Sequence, residues 1–228
     1  MTSPVAFFDI DGTLFRSSLF IELIERLAQA EVFPRETPEE YRAEFTAWKN
    51  RVGTYEDYID AVLESFYAHL PGVHYGTLVD VGHEVVRDMG QHVYRYPRDL
   101  LASLKARGYF LVAISQSPKT ILDRFCSSYG FDKVYGRIYQ IDSEARFTGK
   151  VVDVNLISDK AAIVRRVYEK EEVRREGSIG VGDTDGDIPL LETVEKPICF
   201  NPNALLYTHA KAVGWKVVVE RKDVIYEL

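Results

Sequence analysis

A chain of 228 residues with 28 Lys and Arg against 35 Asp and Glu carries a formal net charge of −7. That balance argues against a surface that coats nucleic acid, whose binding rests on cations neutralising phosphates. The two cysteines, Cys126 and Cys199, stand far apart in apolar surroundings and read as buried thiols of a reducing compartment rather than a disulfide framework.

The N-terminus has no basic stretch before an apolar run, and no apolar stretch approaches the roughly 20 residues of a membrane-spanning helix. The expectation is a soluble, cytoplasmic protein with no nucleic-acid and no membrane partner. The length allows one large domain, or a core with a smaller companion.

Val5 to Phe8 is a short apolar run ending in alternating aspartates and a glycine, the pattern of a buried parallel strand opening into a loop. Ser17 or Ser18 can cap a helix whose apolar positions are Leu19, Phe20, Leu23, Ile24 and Leu27. Thr37-Pro38-Glu39-Glu40 predicts a second helix with a capping box, striped by Tyr41, Phe45, Trp48 and Val52. Thr54 to Asp57 opens a third, with Tyr58, Ile59, Val62, Leu63 and Phe66 on one face and Pro71-Gly72 as its breaker. Val85, Val86, Met89 and Val93 predict a fourth that ends near Pro97. Residues 16–96 thus read as all helix.

After Pro97 the elements alternate. A helix over 98–107 precedes a strand from Phe110 to Ile114 and a helix from Pro118 to Tyr129 that Gly130 terminates. A strand near Val134 to Ile141, a hairpin-like Phe147 to Val152 and a helix from about Ser158 follow. Further strands are Ser178 to Val181, Ile198 to Phe200 and Trp215 to Val219. Strands separated by helices predict an α/β fold with a doubly wound parallel sheet. The helical block is inserted after the first strand. The mixed-charge stretch from Arg165 to Glu176 reads as a solvated helix face.

Four segments could carry chemistry. Asp9 and Asp11 sit two apart past a strand end, so an extended chain aims both at one ligand or metal, although Asp-Gly-Thr is also ordinary turn chemistry. Asp183, Asp185 and Asp187 follow another strand, and three crowded acids call for a proton or a hard cation. Calcium is the competing ion, but an EF-hand needs a preceding helix and a glutamate at its twelfth position, so magnesium shared with phosphate fits better. Ser115 precedes what reads as a capped helix start at Ser117-Pro118, a place suited to phosphate or merely to capping. Lys160 falls in a first helical turn, against the helix dipole, and needs an anion or solvent. All four lie at strand ends, where a doubly wound sheet binds its ligands. The five histidines show no metal-ligand spacing.

With these in view the chain resembles the haloacid dehalogenase superfamily, whose first motif, Asp-x-Asp-x-Thr, is matched by Asp9-Ile10-Asp11-Gly12-Thr13. Ser115 matches its second motif, Lys160 its third, and Asp183 with Asp187 its fourth. The insert resembles the helical cap of the phosphoserine-phosphatase-like branch.

The resemblance implies a Rossmann-like catalytic core from residues 1–15 and 97–228 and a helical cap from 16–96. It further implies a Mg2+-dependent phosphatase of a small phosphorylated metabolite, with Asp9 as nucleophile and Asp11 as general acid and base. Gly12, Thr13, Ser115, Gln116 and Lys160 would bind phosphate. Asp9, the Asp11 main-chain carbonyl and Asp183 would hold the metal, with Asp187 fixing its surroundings.

Two departures are visible: Ser18 and Asp60 stand where that branch's phosphoserine phosphatases carry a glutamate and an arginine for the amino acid, and Gly186 replaces an asparagine. The substrate's leaving group stays open. The alternatives are a phosphotransferase or mutase of the same superfamily, and a non-catalytic phosphate-binding module. The cap aromatics read mainly as packing, and Arg16, Lys49 and Arg51 as candidate anion contacts.

Overall fold

A computed structural model of the chain describes residues 2–152 and 154–228, residue 155 in its backbone only. The first apolar run forms β1 (Ser3–Asp9), and it is buried on both faces: Val5 and Phe7 point to one side of the sheet, Ala6 and Phe8 to the other. It pairs in parallel with β2 (Phe110–Pro118) on one edge and β5 (Val173–Gly182) on the other. β3 (Lys133–Ile141) and β4 (Phe147–Val152) extend the β2 side, while β6 (Lys196–Phe200), β7 (Lys216–Arg221) and β8 (Val224–Glu227) extend the β5 side. The sheet order is β4-β3-β2-β1-β5-β6-β7-β8. Strand order therefore reverses at β1, which places the ligand crevice outside the carboxyl ends of β1, β2 and β5. Only the outermost pairs, β3 with β4 and β7 with β8, are antiparallel.

Five helices separate β1 from β2: α1 (Leu19–Gln29), α2 (Arg42–Lys49), α3 (Tyr55–His69), α4 (Tyr75–Met89) and α5 (Arg95–Ala106). The remaining helices are α6 (Lys119–Tyr129), α7 (Val154–Ile157), α8 (Lys160–Lys170), α9 (Ile188–Leu191) and α10 (Ala204–Val213). One apolar cluster packs α8, α9 and α10 against Val5, Phe7, Val112 and Ile114. The other joins Phe8, Leu111 and Ala113 to Phe125 of α6 and runs on through Leu23, Ile24 and Leu27 of α1 to Phe66 of α3. The inserted helices thus share an apolar core with the sheet. Each fully buried Phe of β1 contributes roughly 1.5–3 kcal/mol by burial.

Several local expectations are revised. Thr37 is the first residue of only a short 3-10 turn (Thr37–Glu39) and not its cap, and its hydroxyl donates back to the Pro34 carbonyl at 2.7 Å. The helix resumes at Arg42, and Val52, 82 % exposed beyond its end, leaves the predicted stripe. The fourth helix stops at Met89, well short of Pro97, which instead lies in the first turn of α5, where its missing N–H goes unneeded. Val93 bridges to Phe15. Only the part of the charged stretch up to Lys170 is helical; from Val173 it is β5. The β7–β8 hairpin is an addition. Thr54 opens the third helix as expected, through a capping box with Asp57, and Gly130 ends α6 at φ 73°.

Candidate active site

β1 ends at Asp9, which is 6 % exposed and accepts a hydrogen bond from Lys160 Nζ at 2.6 Å. Lys160 is the first residue of α8, capped by Asp159, whose carboxylate accepts from the Ala162 N–H at 2.9 Å. The same ammonium reaches Asp187 at 2.5 Å, so the anion required by a lysine in a first helical turn is a pair of carboxylates. Asp187 is fully buried, and its other oxygen accepts from the Asp183 and Thr184 N–H groups at 3.0 Å each. Asp183, just past β5, accepts from the Thr13 hydroxyl at 2.8 Å.

Two glycines permit this crowding. A Cβ at Gly182 would lie 2.5 Å from Asp187 Cβ, and one at Gly12, where φ is 83°, would land on the Asp183 carboxylate.

Asp11 is bound by a different set of groups. One oxygen accepts from the Leu19 N–H at the start of α1, at 2.6 Å, and the other from the Ser115 hydroxyl and, at 2.8 Å, the Ser117 hydroxyl. Asp9 and Asp11 thus share no protein partner among the described residues: positive φ at Gly12 turns the loop back so that Gly12 N–H donates to the Phe15 and Ser17 carbonyls, and Asp11 is bound by groups of α1 and β2. The Ser117-Pro118 cap is likewise absent. Pro118 precedes α6 with no side-chain cap, and the Ser117 N–H donates to Ser115 Oγ.

Ligand oxygens of Asp9, Asp183 and Asp187 lie within 4.8 Å of one another. Asp187 thus stands inside the acidic trio and the Asp11 side chain outside it. Burial raises Asp9 well above the usual carboxylate range; Lys160 opposes this, while Asp187, Asp183 and Asp11 add to it. Asp183 is pushed up to about 8 by burial and by Asp187. Burial also raises Asp11 against the lowering effect of its serine bonds. Burial would lower Lys160, but Asp187 and Asp9 outweigh it and raise it.

Three carboxylates against one ammonium leave a buried excess of negative charge, which a proton or a cation must offset. All the donors are hard oxygens, so the trio fits a hard divalent cation.

Gln116 is exposed; its amide donates to the Ile157 carbonyl at 2.6 Å and its oxygen accepts from Arg137 at 2.7 Å. Of the cations proposed as anion contacts, Arg16 lies over the Tyr94 ring and Lys49 over the Phe45 ring. Sequence reading missed three participants. Ser117 was visible in Ser-x-Ser-Pro but was read as a cap. Tyr55, one of the cap aromatics read mainly as packing, opens α3, and burial together with Asp11, Asp183 and Asp9 raises its phenol. Arg137 lies within a strand whose edge neighbours were unknown.

A doubly wound α/β core with a carboxylate–lysine centre at its strand ends defines a class of crevice enzymes. Within it, the chain belongs to the haloacid dehalogenase-like hydrolase family, whose model matches residues 6–192. It is 26 % identical over 205 residues to a phosphoserine phosphatase of Archaeoglobus fulgidus, covering 87 % of this chain and 53 % of that protein, so it spans about half that relative's length. A histidinol-phosphatase of Neisseria meningitidis is 26 % identical over 175 residues, covering 72 % of this chain and 79 % of that protein. Among solved structures, a Bordetella pertussis protein of unknown function superposes with TM-score 0.74 at 22 % identity, covering 95 % and 98 % of the two chains. A phosphoserine phosphatase with a phospho-aspartyl intermediate analogue gives 0.64 at 17 %, covering 98 % and 96 %. These likenesses establish the Rossmann-like fold with a cap. Among the described residues no helix is long and apolar enough to cross a membrane.

Proposed function

We propose that this chain is a Mg2+-dependent phosphatase that hydrolyses a small phosphate monoester through an aspartyl-phosphate on Asp9, with residues 1–15 and 97–228 as catalytic core and 16–96 as cap. The observation that carries the reading is the pairing of Asp9, bound to Lys160 within the acidic trio, with Asp11, held by Ser115, Ser117 and the start of α1. The names of the two phosphatase relatives support the same class of substrate. The buried free thiols Cys126 and Cys199 suit the cytoplasm.

In the first step an Asp9 oxygen attacks phosphorus, the ester P–O bond breaks, and Asp11 gives its proton to the leaving alkoxide. Burial of Asp11 favours its holding that proton at the start. In the second, water attacks the phosphorus of the acyl phosphate, Asp11 takes the water's proton, and Asp9 is regenerated with release of inorganic phosphate. Lys160 and the Ser115 hydroxyl bind phosphoryl oxygens, assisted by the Gly12–Thr13 loop and by Gln116 beside Ser115. Held by Asp9, Asp183 and the Asp11 main-chain carbonyl, with Asp187 fixing the surrounding loop, Mg2+ would supply the charge neutralisation that lets a carboxylate approach a phosphate dianion.

Hydrolysis of a panel of phosphate monoesters, with Mg2+ and then with EDTA, tests the reading. Activity that needs the metal and vanishes in Asp9→Asn is expected; undiminished turnover in EDTA would overturn it. An added alcohol acceptor that diverts phosphate into a new ester would assign the chain to phosphoryl transfer instead.

A further inference from the structure

β3 does not stop level with β2. The two pair through Ile114 with Tyr135, then the register shifts so that Pro118 faces Arg137, and β3 rises past Ser115 into its hairpin with β4. Gly136 holds it close to the crevice rim: a Cβ there would lie 2.9 Å from Lys119 Cα and 3.1 Å from the Ser117 carbonyl oxygen. Two residues apart on an extended strand, Arg137 and Tyr139 share a face, and that face meets α3. Arg137 donates to the Tyr67 phenol of α3 at 2.8 Å and to the Gln116 side-chain oxygen at 2.7 Å, while the Tyr67 and Tyr139 rings lie 6.1 Å apart.

Both of these acceptors are neutral. Arg137 Nε and the Tyr139 hydroxyl are buried without a hydrogen-bond partner, and Tyr139 is 8 % exposed. A cation whose two terminal nitrogens meet only neutral acceptors, and whose Nε is unpartnered like the Tyr139 hydroxyl, thus stands against Gln116, the residue after Ser115. Buried donors left unmet are unfavourable, and a guanidinium fork is shaped for an oxyanion.

We propose that Arg137, Tyr67 and Tyr139 form a receptor for a second oxyanion, carried on the leaving group of the substrate. The inference rests on the phosphatase reading and narrows it: the ester hydrolysed bears a carboxylate or a second phosphate a few atoms from the scissile phosphoryl group. The receptor combines the core sheet and α3, so it also makes cap packing part of substrate recognition.

The test compares two ester pairs that differ by one anion: O-phosphoserine with phosphoethanolamine, and propane-1,3-diyl bisphosphate with propyl phosphate. Wild-type enzyme is expected to prefer the anionic member of at least one pair, the pair identifying carboxylate or phosphate, and to do so through KM. Arg137→Met should shrink that preference about 10- to 100-fold, as loss of a charged hydrogen bond implies, and Tyr139→Phe should shrink it less, again through KM.

An anion preference absent from wild-type enzyme, or unchanged in both variants, would overturn the proposal. So would equal losses on both members of a pair, the result of a merely structural role. If Arg137→Met does not fold, Tyr139→Phe decides alone. Calorimetric binding of the same esters to Asp9→Asn protein gives the comparison without turnover. Failure of wild-type enzyme to hydrolyse p-nitrophenyl phosphate would therefore overturn the phosphatase reading separately.

Discussion

Replacing Lys160 by Met keeps most of the aliphatic stem and removes one charge from between Asp9 and Asp187, each within 2.6 Å of the ammonium. Lys160 is only 9 % exposed and Asp187 fully buried, so water cannot substitute for the lost cation. Breaking a buried ion pair from one side costs about 3–5 kcal/mol. Each kcal/mol shifts Tm by roughly 2–4 °C at this chain length, so in EDTA the variant should melt about 6–20 °C below wild type.

The two carboxylates freed by the substitution strengthen the site for a divalent cation. Mg2+ should therefore raise the variant's Tm more than that of wild type, while activity falls by about 10²-fold or more with a phosphoryl-binding donor gone. Thermal denaturation followed by circular dichroism, with EDTA and with Mg2+, reads both effects. An EDTA Tm equal to wild type, or Mg2+ stabilisation smaller than that of wild type, would refute the charge balance described for this centre.

Gly12→Ala should cost about 1–2 kcal/mol of backbone strain at positive φ and also weaken metal binding, because the new methyl group lands on the Asp183 carboxylate; urea denaturation and calorimetric Mg2+ titration check the two parts. Asp11→Asn should retain metal binding and slow turnover of esters with poor alkoxide leaving groups far more than of p-nitrophenyl phosphate, whose leaving group needs little protonation; equal loss on both would remove Asp11 from its acid role.

The pH dependence of the metal-free protein follows from Asp183, whose folded value of about 8 exceeds the roughly 3.9 of a free aspartate. Between those values the folded state binds the extra proton, so this group's stabilisation is full below about pH 4 and is lost as pH rises towards about 8. Urea midpoints in EDTA should fall across that window, and saturating Mg2+ should abolish the fall; midpoints that rise with pH in EDTA would contradict it.

The parts legible in the sequence were those that signal locally. β1 announced itself by its apolar run and aspartate-rich end, α3 by its start at Thr54 to Asp57, and α6 by Gly130, each decided within a few residues. Asp9 and the Asp183–Asp187 segment were legible as motifs at the ends of β1 and β5, which parallel pairing brings together, and Lys160 joins them from the start of α8. Thr37 reads as a cap but is the first residue of a 3-10 turn, its hydroxyl bound to the Pro34 carbonyl three residues back. The other errors arose where a distant partner decides. Ser117 looked like a cap until Asp11 lay within reach. Arg137 carries no local signal, since its position beside Tyr67 and Gln116 depends on the register shift between β2 and β3.

The proposed mechanism turns on phosphorylation of Asp9. Rapid acid quench during turnover with Mg2+, followed by borohydride reduction and peptide mass spectrometry, examines it directly, because reduction converts an acyl phosphate to an alcohol and leaves a free carboxylate untouched. Homoserine at position 9, dependent on substrate and on Mg2+, is expected. Active enzyme that yields unmodified Asp9, or homoserine at Asp11 or Asp183, would contradict it.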